Sequence, residues 1–121
     1  MRFYEYEAKI LLGKQGLPLP AGDVAETGAD AERIASEIGD SVVLKSQVLS
    51  GGRMKAGGVK FADTPEEAKS ATDEILKLEI NGQLPRSVLV ESKAKIVKEY
   101  YLGVTYDAVV KSPVILFSDM G

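Results

Sequence analysis

The segment Ser50-Gly51-Gly52-Arg53-Met54-Lys55-Ala56-Gly57-Gly58 constrains this chain most. Four glycines in nine residues disfavour both helix and strand interiors, so a loop is fixed here whatever surrounds it. The runs on either side, Val42 to Val48 and Val59 to Ala62, are rich in β-branched residues and read as strands. In the first run, alternation puts Val42, Leu44, Ser46 and Val48 on one face and Val43, Lys45 and Gln47 on the other. A lysine in mid-strand is costly unless its ammonium reaches water or an anion. One reading is an edge strand whose lysine snorkels to solvent. The other comes from the loop. Glycine lets backbone N–H groups approach a ligand, and N–H groups together with Arg or Lys hold phosphate oxygens. Arg53 and Lys55 lie inside the loop, and Lys45 enters it from the preceding strand. A flexible hairpin with solvated charges is the competing interpretation. The segment fits neither G-x-x-x-x-G-K-[ST] nor G-x-G-x-x-G, so the two standard phosphate-loop patterns do not apply.

The remaining elements follow from periodicity and punctuation. Tyr4, Ala8, Leu11 and Leu12 share a helical face, which ends at Gly16 before Pro18 and Pro20. Gly22 to Ala25 reads as a short strand. A second helix is expected over Ala29 to Ile38, with Ala31, Ile34, Ala35 and Ile38 as its apolar stripe and Gly39 past its end. Thr64-Pro65-Glu66-Glu67 places a capping hydroxyl, a proline at N1 and an acid at N3 of a third helix. Its apolar positions are Ala68, Ala71, Ile75 and Leu78, and Asn81-Gly82 and Pro85 break the pattern. Val88 to Glu91 is a strand. Ile96 to Tyr106 and Val109 to Phe117 read as two more, turned near Asp107, with Pro113 marking an edge or a bulge. The order is α, β, α, β, loop, β, α, β, β, β: a mixed α/β (α+β) pattern with hairpin-like elements, not an alternating β-α-β succession.

Two acids near these strands are further candidates. Glu91 ends a short apolar strand, and the connector after it, through Ala94, can offer backbone groups to a base edge. Glu99 falls within the expected strand beside Val97, Tyr100, Tyr101 and Leu102, where it can accept hydrogen bonds from ribose hydroxyls. The competing interpretation pairs both acids with Lys93, Lys95 or Lys98.

The chain of 121 residues suffices for one compact domain. It contains no Cys and no His, which excludes disulfides, thiolate or imidazole metal ligands and a phosphohistidine within these residues. A formal net charge of −3, with cations and acids interspersed, argues against nucleic acid as a partner. No apolar run is long enough to span a bilayer. The acidic opening, Glu5 and Glu7, is unlike a targeting leader, so a cytoplasmic location is expected.

Taken in order, these segments resemble the N-terminal part of the β subunits of ADP-forming succinyl-CoA synthetases, within the ATP-grasp acyl-CoA ligases. The resemblance rests on Glu5-Tyr6-Glu7-Ala8-Lys9, Gly16-Leu17-Pro18-Leu19-Pro20, Val43-Leu44-Lys45-Ser46-Gln47-Val48, Gly51 to Lys60, Leu89-Val90-Glu91 and Lys98-Glu99-Tyr100-Tyr101-Leu102-Gly103. It covers essentially the whole chain. It implies an ATP-grasp N-terminal lobe with a mixed or antiparallel sheet and flanking helices. Residues 21–95 would form the first nucleotide-binding lobe, and 1–20 and 96–121 the start of an incomplete second lobe. It further implies that Lys45, Gly52, Arg53 and Met54 meet the phosphates of ATP, that Glu91 and Ala94 flank the adenine, and that Glu99 lies at the ribose.

By the same resemblance, Mg²⁺ is held by residues beyond Gly121, and no catalytic residue falls within the chain. A CoA-binding α subunit or domain carries the phosphohistidine in a hetero-oligomer. The chain then reads as a fragment or partial subunit, inactive alone. Met54 stands where the family has Gly, which would disturb the loop if that position required positive φ. Relatives acting on malate or forming citryl-CoA share the pattern. A carboxylate–amine ligase or carboxylase of the same fold and a non-catalytic binding or assembly module are the other readings.

Overall fold

A computed structural model describes residues 1–120. The elements run α1 (Glu5–Lys14), β1 (Gly22–Ala25), α2 (Gly28–Ile38), β2 (Val42–Ser46), β3 (Val59–Ala62), α3 (Pro65–Ile75), β4 (Val88–Ser92), β5 (Tyr101–Asp107) and β6 (Ser112–Ser118). This is the order read from the sequence.

Four strands form one antiparallel sheet in the order β1-β4-β2-β3. The strand carrying Lys45 is therefore internal, not an edge as the snorkelling interpretation required. Its alternation holds through Ser46, with Val42, Leu44 and Ser46 buried and Val43 and Lys45 half-buried, but the strand ends there, two residues short of the expected Val48, and Gln47 is buried as well. The buried face meets α2 and α3, and the core comprises Ala31, Ile34 and Ala35 of α2, Ala68, Ala71 and Ile75 of α3, and Ala25, Val42, Leu44, Ala62, Val88 and Val90 of the sheet. Lys45, Leu89 and Glu91 lie on the opposite face.

Local chemistry sets the helix ends. Thr27 and Asp30 form a reciprocal capping box at the start of α2, which ends on Gly39 in the left-handed region. Thr64 caps α3 by accepting from the Glu67 N–H at 3.2 Å, but Glu67 reaches back to the Asp63 N–H rather than to the cap. Helix α3 stops at Ile75, one turn short of the expected Leu78. Helix α1 closes with Gly16 at φ +84°, the Gly16 N–H donating to Gly13 and the Leu17 N–H to Leu12.

Strands β5 and β6 pair only with each other, in continuous register from Tyr101–Ser118 to Asp107–Ser112. Pro113 sits opposite Tyr106 without a bulge, so its missing N–H falls at an edge. The turn is held by Asp107 Oδ1, which accepts from the amides of Val109 and Val110. Strand β5 begins later than expected, which leaves residues 93–100 as a connector. This hairpin and α1 expose much apolar surface: Ile10, Leu11, Tyr101, Leu102, Val104, Ile115 and Phe117 are all open. The described residues include no helix long and apolar enough to cross a membrane.

Candidate functional site

The face of the sheet opposite α2 and α3 carries a network of cations and carboxylates. Lys45 projects from the middle of β2, and its Nζ donates to Glu5 Oε1 at 2.8 Å and to Glu91 Oε2 at 3.0 Å. Arg53, from the glycine loop, donates through Nη2 to Glu5 Oε2 at 2.7 Å and through Nη1 to the Ser46 carbonyl at 2.9 Å. The two cations, eight positions apart and on different elements, thus grip the two oxygens of one carboxylate. Lys9 completes the network on Glu91 Oε1.

Burial penalises the charged form of Glu5, but the hydrogen bonds from Lys45 and Arg53 outweigh it and hold its carboxyl at about 2. For Lys45, burial favours the neutral amine, yet the bonds to Glu5 and Glu91 prevail and raise its pKa above the ordinary lysine value. Both groups are ionised at neutral pH.

Glu5, Lys45 and Arg53 line an open cleft of ≈ 1150 Å³, whose walls also include Arg2, Ser50 and Lys55. The loop at its rim is tied by three backbone bonds: Ala56 N–H to Gly52, Gly57 N–H to Met54 and Gly58 N–H to Arg53. The amides of Gly52, Arg53, Met54 and Lys55 donate to no acceptor among the described residues. Ser50 Oγ is buried and also lacks a partner among them. Unengaged amides beside two cations are the donor set an anion such as a phosphate chain requires. A Cβ at Gly58 would stand 2.5 Å from both Ile80 Cδ1 and Ser46 Oγ, so any larger residue there forces these buried side chains to shift. Gly52 takes φ +75°. Met54 is not among the residues of positive φ, and its side chain is 69 % exposed, so a side chain at that position leaves the loop unstrained.

The structure therefore gathers Lys45, Gly52, Arg53 and Met54 in one cleft. Glu91 is joined to them through Lys45. Its partners are Lys9 and Lys45, from α1 and β2, not the neighbouring Lys93, Lys95 or Lys98 of the competing interpretation. Ala94 and Glu99 do not line the cleft. Both are exposed, and Glu99 lies in the connector ahead of β5 rather than in a strand. No group of three or more carboxylates is placed to hold a metal ion among the described residues.

The sequence reading assigned no role to Glu5, Lys9, Gln47 or Ser50. Gln47 anchors the start of α1 by accepting from the Tyr6 N–H at 3.2 Å. An unexplained pair of acids flanking a tyrosine at the chain's beginning was the available signal for Glu5. Its partners lie 40 and 48 positions away, beyond any local pattern.

The fold is a two-layer lobe in which a glycine loop and a strand lysine face one cleft. The chain belongs to the ATP-grasp family, whose domain model matches residues 2–121. Among curated proteins it is 47% identical to the β subunit of a GDP-forming succinate–CoA ligase from Thermus thermophilus over 121 residues, all of this chain and 32% of that one. It is 45% identical to the β subunit of an ADP-forming succinate–CoA ligase from Methanothermobacter thermautotrophicus, covering 33% of it. The chain thus spans about a third of the length of these relatives.

Among solved structures, a dinucleotide-forming acetyl-coenzyme A synthetase from Ca. Korarchaeum cryptofilum, in complex with coenzyme A and Ca-AMPCP, superposes with a TM-score of 0.78 at 28% identity. The match covers 96% of this chain and 52% of that one. A second structure of that enzyme, with coenzyme A, acetyl-coenzyme A and a phosphorylated phosphohistidine segment, gives a TM-score of 0.75 at 26% identity, covering 96% and 51%.

Proposed function

We propose that this chain is the nucleotide-binding part of a nucleoside-diphosphate-forming acyl-CoA ligase of the succinate–CoA ligase type. The observation that carries the reading is the convergence of Lys45 and Arg53 on one anion at the mouth of a glycine loop with unengaged amides. In this reading Lys45, Arg53 and the Gly52–Met54 backbone hold the triphosphate. Glu91, buried at the end of β4, fixes Lys45 and starts the connector through which Ala94 meets the adenine and Glu99 the ribose. Residues 21–95 form the first lobe. The apolar surfaces of α1 and β5–β6 support the reading of 1–20 and 96–121 as the beginning of the second.

The reaction assigned to the complete protein transfers the γ-phosphoryl group of ATP to a histidine of a CoA-binding partner subunit or domain, with release of ADP. The phosphoryl group then passes to the substrate carboxylate. The CoA thiol attacks the resulting acyl phosphate at its carbonyl carbon, and phosphate leaves. This chain binds and orients the tail in that sequence and donates hydrogen bonds to its oxygens. Mg²⁺ screens the phosphate charge when bound, and its ligands are assigned to residues outside this chain.

Two assays on the full-length protein test the proposal: titration with ATP, GTP and adenosine, and thioester formation from CoA and succinate with its partner. Triphosphate binding well above adenosine binding, together with CoA-dependent turnover, is expected. Turnover with an amine acceptor in place of CoA would overturn the assignment.

A further inference from the structure

Glu5 stands out because nothing in the proposed nucleotide site requires an acid there. It is the first residue of α1, a helix with no buried residue, and its two oxygens engage the two side chains assigned to the phosphates. Lys45 has three N–H donors and spends bonds on Glu5 and Glu91, while Arg53 spends one edge on Ser46 and the other on Glu5. A phosphate tail of about −3 to −4 charge cannot share these donors with a carboxylate lying between them, because both would be desolvated anions in contact.

We propose that Glu5 is a built-in competitor for the nucleotide's phosphate tail. Its carboxylate sits between Lys45 and Arg53 where phosphate oxygens bind, and the arriving tail expels it. The proposal rests on the nucleotide reading above. Three features make Glu5 the group that moves. Glu91 is 96 % buried in its side chain by the same measure that leaves Glu5 at 79 %, as their exposures of 4% and 21% show. Helix α1 meets the sheet through polar tethers, Tyr6 N–H to Gln47 and Lys9 to Glu91, so a small displacement of its first turn uncovers little apolar surface. Lys9, four positions on and 3.4 Å from Glu5 Oε1, remains as a partner for the displaced carboxylate. With Glu5 in place, the cations Lys9, Lys45 and Arg53 face the carboxylates Glu5 and Glu91. Moving Glu5 aside shifts the local balance one charge towards the tail. Glu5 also holds the two cations together until a tail arrives, and it ties the first turn of α1 to nucleotide occupancy.

The test is calorimetric titration of the full-length protein, unaltered and as Glu5→Gln, with ATP and with adenosine. Glu5→Gln is expected to bind ATP roughly 3- to 30-fold more tightly, the range set by two partly exposed ion pairs that no longer have to be broken. Adenosine affinity is expected to stay the same. Glu5→Asp keeps the charge but loses one methylene of reach, so it bridges the cations poorly. It shifts ATP affinity the same way by a smaller factor, and it carries the test if the glutamine variant does not fold. Equal or weaker ATP binding by both variants, with the unaltered protein binding ATP, would overturn the competitor and leave the phosphate site standing. An unaltered protein that prefers adenosine to ATP would overturn both.

Discussion

Replacing Lys45 by alanine separates its proposed role from a structural one. The ammonium is one of three cations on Glu5 and one of two on Glu91, whose side chain is 4% exposed. Losing it costs stability, because Glu91 keeps only Lys9. A buried carboxylate stripped of all partners costs about 3–5 kcal/mol, so one that retains a partner should cost about 1–2 kcal/mol. Binding suffers separately. A hydrogen bond to a charged group contributes about 1.5–3 kcal/mol, which is roughly 10- to 150-fold in ATP affinity. Lys93→Ala is the control. Lys93 lies 5.2 Å from the Phe61 ring centroid, outside the cleft, and its exposed cation–π contact accounts for about 0.5–1 kcal/mol of stability. Calorimetric titration with ATP at a temperature where both variants are folded, checked by thermal melts, reads the difference. Equal losses of affinity in the two variants would refute the assignment of Lys45 to the phosphates.

Acid should weaken the fold through Glu5. Its folded-state carboxyl titrates at about 2 against an ordinary 4.5, so its contribution is complete above pH 4.5 and drains away as the pH falls towards 2. After allowance for its partial exposure this amounts to about 1–2 kcal/mol. Urea unfolding between these pH values measures it, and Glu5→Gln should flatten that part of the profile. Gly58→Ala should destabilise by about 1–3 kcal/mol, because the new methyl meets Ile80 and Ser46 at 2.5 Å; an unchanged denaturation midpoint would contradict the loop geometry. Met54→Gly should leave ATP affinity within about two-fold, since no positive φ is relieved there. A large gain measured by titration would show that the methionine obstructs the tail.

Much of this architecture is legible in the chain because it is locally encoded. Thr64-Pro65 starts α3, Gly16 and Gly39 end their helices in left-handed conformations, and the alternation in β2 puts Lys45 opposite the core. Strand order is not local, so the sequence could not tell that β2 is internal. The start of β5 was misplaced because Ile96, Val97 and Tyr100 are apolar and strand-like in composition. Yet all three are exposed in the connector, with no partner strand to fix them among the described residues. The site was half legible. Lys45, Gly52 and Arg53 are close in sequence and meet in the cleft, whereas Glu5 and Lys9 reach it only through tertiary docking of α1. The partners of Glu91 are hidden for the same reason: the competing interpretation pairs it with nearby lysines, but its carboxylate reaches Lys9 of α1 and Lys45 of β2.

In the proposed function the side chains of Lys45 and Arg53 serve one phosphate chain. A crystal structure of the full-length protein with a non-hydrolysable ATP analogue tests it most directly. Phosphate oxygens are expected within hydrogen-bonding distance of both Lys45 Nζ and the Arg53 guanidinium, with the Glu5 carboxylate moved off the pair. A triphosphate bound elsewhere, with Glu5 still bridging the two cations, would contradict it.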